Sequence, residues 1–141
     1  MGCETKPVDP IRIMKGLFMF TQQAKGGLIP CSTSALFDFS PMQYGPCAPE
    51  IYHVLDELVD ADCLAKVPVS GETWVLYRAT DHGQRRVVEL ETTVDRRVLD
   101  ALRNLRTWCD QRPSTQLLRD VYRDYPEFAV NSVLPHWVPN R

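Results

Sequence analysis

Apolar positions recur at helical spacing in four stretches of the chain and at strand spacing in one. Ile11, Met14, Leu17 and Phe18 lie three or four residues apart, which predicts a helix with one buried face from Pro10 to about Ala24. Asp9 is its expected N-cap and Pro10 sits in its first turn, where a missing N–H costs nothing. Gly26-Gly27 ends it. Ile51, Val54, Leu55, Leu58 and Val59 form a second apolar stripe, predicting a packed helix from Pro49 to Asp60. Between them, Pro30, Pro41, Pro46 and Pro49 predict a turn-rich connection with one short helix around Thr33 to Phe37.

Leu64 to Val69 and Thr73 to Ala79 carry β-branched and aromatic residues on either side of Ser70-Gly71-Glu72. That pattern predicts a β-hairpin, with Pro68 confining its first strand to an edge. Past Gly83, Val87, Leu90, Val94, Val98, Ala101, Leu105 and Trp108 keep helical spacing. One long helix or two consecutive ones follow, with Thr92-Thr93 as the cap at the break. Pro113-Ser114 starts a further helix whose apolar residues are Leu117, Leu118, Val121 and Tyr122, and Pro126 closes it. The order helix, link, helix, hairpin predicts an α+β fold of one domain over residues 1–141. Its winged-helix-like part spans about 10–83, a C-terminal helical extension about 84–132, and an extended tail 133–141.

Composition narrows the class. At 141 residues, 44% hydrophobic and 24% charged, the chain has the make-up of an ordinary globular domain, and no segment approaches the roughly 18 apolar residues of a membrane crossing. The start, Met1 to Lys6, lacks an apolar signal core, and Lys6 stands where a myristoylation motif wants Ser or Thr. Five scattered cysteines fit reduced thiols better than a disulfide framework, so a cytoplasmic location is expected.

Charge bears on function more directly. The net charge is -2, so no global field draws the molecule to polyanions. A DNA-reading winged helix places the helix before its hairpin in the major groove, where cations are needed. Here there is no Lys or Arg between Gly26 and Ala65, while Asp38, Glu50, Asp56, Glu57, Asp60 and Asp62 are all negative. The expected contact surface is therefore one for a protein, formed by Glu50, His53, Glu57 and Asp60 with the Tyr44-Gly45-Pro46 turn. In that turn Gly45 permits an unusual backbone angle, Pro46 fixes the exit, and Tyr44 is expected to wedge beside the following helix.

The alternative is a nucleic-acid or anion contact through Arg78, Arg85 and Arg86 on the wing side, the least compensated of the arginines. Arg96 with Asp100, Arg106 with Asp110 and Asp120 with Arg123 instead have helical ion-pair spacing. Cys47, just ahead of a helix N-terminus, is the one foothold for covalent chemistry. No histidine stands in a nucleophile motif, so no catalytic residue is expected. His53 and Glu57 at i, i+4 are too few for a metal site, and no motif implies a cofactor. Trp137, flanked by Pro135 and Pro139, is expected to dock on the domain or on a second copy in a homodimer.

Tyr44-Gly45-Pro46 followed by Pro49-Glu50-Ile51-Tyr52 resembles the uncharacterised bacterial YwgA-like proteins and the related Panacea (SocA-like) antitoxin domain. The apolar helix Ile13-Met14-Lys15-Gly16-Leu17-Phe18 is similar too, as are the Tyr77-x-x-Thr80-x-x-Gly83 step and the run Leu117-Leu118-x-x-Val121-Tyr122-x-x-Tyr125-Pro126-Glu127. The match covers most of the chain from Pro10 to Ser132, with Cys47 departing from the aromatic or aliphatic residue of the pattern. The resemblance implies a winged-helix-like regulator that, in the antitoxin branch, neutralises a toxin by direct contact and has no catalytic centre.

Overall fold

A computed structural model describes residues 6–32 and 36–132. The first helix, α1 (Pro10–Lys25), begins where Asp9 accepts a hydrogen bond from the backbone N–H of Arg12. It ends at Gly26, whose N–H returns to the Gln22 carbonyl. Two short strands follow, β1 (Ser40–Met42) and β2 (Gly45–Cys47), then α2 (Glu50–Asp60). Next come the hairpin β3 (Leu64–Pro68) and β4 (Val75–Ala79), the helices α3 (Asp81–Glu91), α4 (Arg96–Asp110) and α5 (Ser114–Asp124), and a 3-10 turn over Pro126–Ala129. The fold is mixed α+β, with two separate two-stranded antiparallel sheets among the described residues.

α1 is the centre of the packing because it is apolar around most of its circumference. One side meets α4 and α5 through Phe18, Met19, Ala24, Leu105 and Val121. The other meets β2, α2 and β4 through Met14, Ala48, Ile51, Leu55 and Tyr77. Phe18 is fully buried and meets Phe39, Tyr125 and Phe128 in T-shaped contacts at centroid distances of 5.3, 5.2 and 4.7 Å, the geometry that suits aromatic quadrupoles. Arg12 fastens the N-terminal end of α1 to the end of α4 by donating to the carbonyls of Cys109 and Arg112 at 3.3 and 2.6 Å. The Cys109 carbonyl, which also accepts from the Arg112 N–H at 3.3 Å, thereby gains a second donor at the α4 terminus.

The link between α1 and α2 holds a β-hairpin that hydrophobic alternation does not reveal. Register sets Pro41 opposite Pro46, a pairing that works only where neither residue needs a ladder N–H. Of the short helix expected at Thr33 to Phe37, residues 33–35 lie outside the described residues, and Leu36 and Phe37 are not helical. The extended tail and Trp137 also lie outside them.

The second hairpin agrees with its sequence pattern, with Pro68 opposite Val75. Val8 exchanges two hydrogen bonds of 2.8 Å with Tyr77, so β4 is central and β3 with Pro68 is the edge. α3 begins before Gly83 because Thr80 accepts from the Gly83 N–H at 3.0 Å. A Cβ on Gly83 would stand 2.1 Å from the Cys63 carbonyl oxygen, which explains the Thr80-x-x-Gly83 spacing. The cap of α4 is Asp95, accepting from the Arg97 N–H, rather than Thr92 or Thr93. Val87 and Leu90, whose spacing predicts the helix, lie on it but are exposed, because α3 is held mainly through its first turn against β4. No helix among the described residues is long and apolar enough to cross a membrane.

Candidate functional site

The Tyr44-Gly45-Pro46 step owes its shape to a close approach. Gly45 has φ of +90°, a left-handed angle that glycine adopts without penalty. A Cβ there would lie 2.6 Å from Leu118 Cδ1 and 3.4 Å from both Lys15 Cε and Tyr122 Cε1. The turn is thus pressed against α1 and α5, and Pro46 is fully buried beneath it.

Below the turn lies a group that sequence periodicity points to only in hindsight. Lys15 is 3% exposed, and its Nζ donates to the Pro46 carbonyl at 2.9 Å. It falls four residues after Ile11 and three before Phe18 on the apolar stripe, so its charge was out of place in the pattern. Burial lowers its pKa to about 8, with Cys47 nearby acting in the opposite direction. The Cys47 thiol is pushed up by burial, with Lys15 opposing. A reactive thiolate is therefore not favoured here: desolvation outweighs the cationic neighbour.

Tyr44 does not wedge into the core. It is 59% exposed, Tyr52 and Trp74 are each 44% exposed, and Ile11 and Met42 are 37% and 38% exposed. The physical reason is the turn itself, since Gly45 and Pro46 fill the close-packed positions and leave Tyr44 at the tip. These side chains rim two adjoining concavities. A cavity of about 690 Å³ is lined by Ile11, Met14, Lys15, Met42, Tyr44 and Tyr52. A groove of about 750 Å³ runs past Tyr44 and Tyr52 to Lys66, Trp74 and Tyr77. The Tyr52 hydroxyl is held protonated by burial and by the neighbouring Cys47 and Tyr77.

Glu50, His53, Glu57 and Asp60 are all exposed. At about 100° per residue they share one stripe of α2, opposite buried Ile51 and Leu55. None of them lines the cavity or the groove; the α2 residues nearest that edge are Tyr52 and Asp56, the latter 3.8 Å from Lys66. Of the expected contact residues, then, the structure gathers Tyr44 and Gly45 at the cavity, sets Pro46 under it, and leaves the charged four on the adjacent helix face. Ile11, Lys15, Tyr52 and Trp74 belong to the site and were not among the expected contact residues.

No family model matches the chain, and no curated protein matches it.

Of the arginines expected to contact an anion, Arg78 lies on β4 and Arg85 and Arg86 on α3, all exposed. Arg86 is paired with Glu89 at 2.7 Å, which removes it from the uncompensated set. Arg78 and Arg85 hold no ion pair among the described residues. The pairs expected from helical spacing form, with Arg96 to Asp100 at 3.6 Å, Arg106 to Asp110 at 2.9 Å and Arg123 to Asp120 at 3.1 Å. Among the described residues, no three His, Cys, Asp or Glu side chains come together as a metal site.

Proposed function

We propose that the chain is a non-catalytic regulatory module that binds a protein partner, in the antitoxin or adaptor class implied by the Tyr44-Gly45-Pro46 resemblance. The observation that carries this is the set of exposed aromatics, Tyr44, Tyr52 and Trp74, around a shared concavity on a tightly packed platform. Aromatic side chains in such positions dominate the energy of protein interfaces, because they remove a large rigid surface from water at little entropic cost. The acidic stripe of α2 lies alongside and steers basic partner segments toward the aromatics. A helix followed directly by the β3–β4 hairpin supports a winged-helix-like reading in which α2 holds the recognition position. Its carboxylates make that position unsuited to phosphates. Free Cys31, Cys47, Cys63 and Cys109 fit a reducing, cytoplasmic setting.

The test is affinity capture from the native cell with wild type, Tyr52→Ala, and the double variant Glu57→Arg with Asp60→Arg. Loss of the same partner in both variants is expected; full retention by both removes the proposed surface. The second reading, a DNA-binding regulator, is favoured by the unpaired Arg78 and Arg85. It requires duplex binding that weakens steeply between about 50 and 200 mM salt and that disappears when both arginines are changed to alanine.

A further inference from the structure

We propose that the cavity beneath Tyr44 and Tyr52 binds an apolar carboxylate, with the Lys15 ammonium as its counter-ion. The inference goes beyond partner binding by the α2 face and stands without it.

The case begins with an uncompensated charge. A lysine is almost never this buried without a partner of opposite sign. Lys15 has three N–H donors, and among the described residues one is used, on the neutral Pro46 carbonyl. No carboxylate of the described residues pairs with it. The titratable group acting on it is Cys47 on β2; Tyr52 on α2 lines the same cavity, and Tyr122 on α5 packs on the neighbouring Gly45. A thiol and two phenols are neutral near pH 7 by their ordinary chemistry, and burial raises the pKa of each further. The described residues thus supply a desolvated cation and no anion. A neutral donor would hold the Pro46 carbonyl without the desolvation cost of an ammonium, so the hydrogen bond alone does not account for a lysine here.

The surroundings specify the rest of the ligand. Lys15 lines a cavity of about 690 Å³ whose other walls include Ile11, Met14, Met42 and the two tyrosine rings. A mostly apolar concavity with one convergent charge is the usual form of a small-ligand site, and this volume falls within the customary range. It has room for a phenyl or branched alkyl body with the carboxylate directed at Lys15. Two sources share that chemistry: a free aliphatic or aromatic acid, and the C-terminal carboxylate of a partner chain that ends in an apolar residue.

Calorimetric titration of the whole chain distinguishes them, using 3-phenylpropionate and its amide, and an apolar tripeptide with a free or an amidated C-terminus. At least one acid is expected to bind at or below about 1 mM, with its amide weaker by roughly tenfold or more, as for loss of a charge-assisted hydrogen bond. Lys15→Met, which keeps the side-chain volume and removes the charge, is expected to abolish the difference between acid and amide. Binding of the peptide acid alone assigns the site to a partner's terminus, and binding of phenylpropionate alone assigns it to a free ligand. In the wild type, acid binding is expected to decline as pH rises above 8, a readout that holds whether or not the variant folds. Equal binding of acid and amide, unchanged acid binding by folded Lys15→Met, a flat pH profile, or no binding of either acid overturns the proposal. None of these results bears on charge reversal at Glu57 and Asp60, so the two ideas fail separately.

Discussion

At the scale of single residues, Lys15 and Gly45 define the site between them. Gly45 lets the turn sit on Leu118 and Tyr122, and that contact closes Lys15 off from water. The lysine's pKa falls from 10.5 to about 8, so between those values the unfolded chain holds a proton that the folded chain has released. Stability attributable to this group therefore rises as pH climbs from 8 toward 10.5, by up to about 3 kcal/mol on the scale of 1.36 kcal/mol per pKa unit. Below pH 8 the cost of the buried charge is fully present. Lys15→Met is expected to stabilise the fold by about 1–3 kcal/mol near pH 7 and to lack the alkaline gain shown by the wild type. Urea denaturation of both proteins from pH 7 to 10.5 checks this by difference, which cancels the contribution of the tyrosines.

Among the elements, α1 organises the rest, since β2, β4, α4 and α5 all pack against it. The elements with strong periodicity, α1, α2, α5 and the β3–β4 hairpin, were legible in the sequence because their apolar patterns and the prolines and glycines that bound them point the same way. The β1–β2 hairpin was not, because strands of three residues containing Pro41 and Pro46 show no alternation. Val87 and Leu90 misled for a different reason: helical spacing predicts a face but not what covers it, and α3 is anchored by Thr80 and Gly83 instead. At the site, Gly45's conformation was readable from its neighbours, whereas Tyr44's exposure depended on Leu118 and Tyr122, far away in sequence. The ion pairs illustrate the same limit, since spacing gave their partners but not their burial. Asp120 is 6% exposed and accepts from Arg112, Gln116 and Arg123 at 2.8, 2.8 and 3.1 Å, while Arg112 also stacks 4.5 Å over Trp108. Asp120→Asn is expected to destabilise by roughly 3 kcal/mol, and Asp100→Asn, in an exposed pair, by about 0.5 kcal/mol or less. Urea midpoints of the two variants measure the contrast.

For the whole molecule, charge and shape divide the surface. The aromatic rim and acidic α2 lie together, while Arg78 and Arg85, without an ion pair among the described residues, belong to β4 and α3. In the proposed function, a molecule with net charge of -2 that collects carboxylates next to exposed tyrosines meets a basic, partly apolar protein surface. Charge reversal on α2 should then slow association, and loss of an aromatic should speed dissociation. The most direct measurement is photo-crosslinking in the native cell with benzoylphenylalanine in place of Tyr52, compared with the same group in place of Gln116 on α5. The account predicts one dominant protein adduct from position 52, lost when Glu57 and Asp60 are also changed to arginine, and no such adduct from position 116. Equal adducts from both positions, or an adduct at 52 indifferent to the charge reversal, would contradict it.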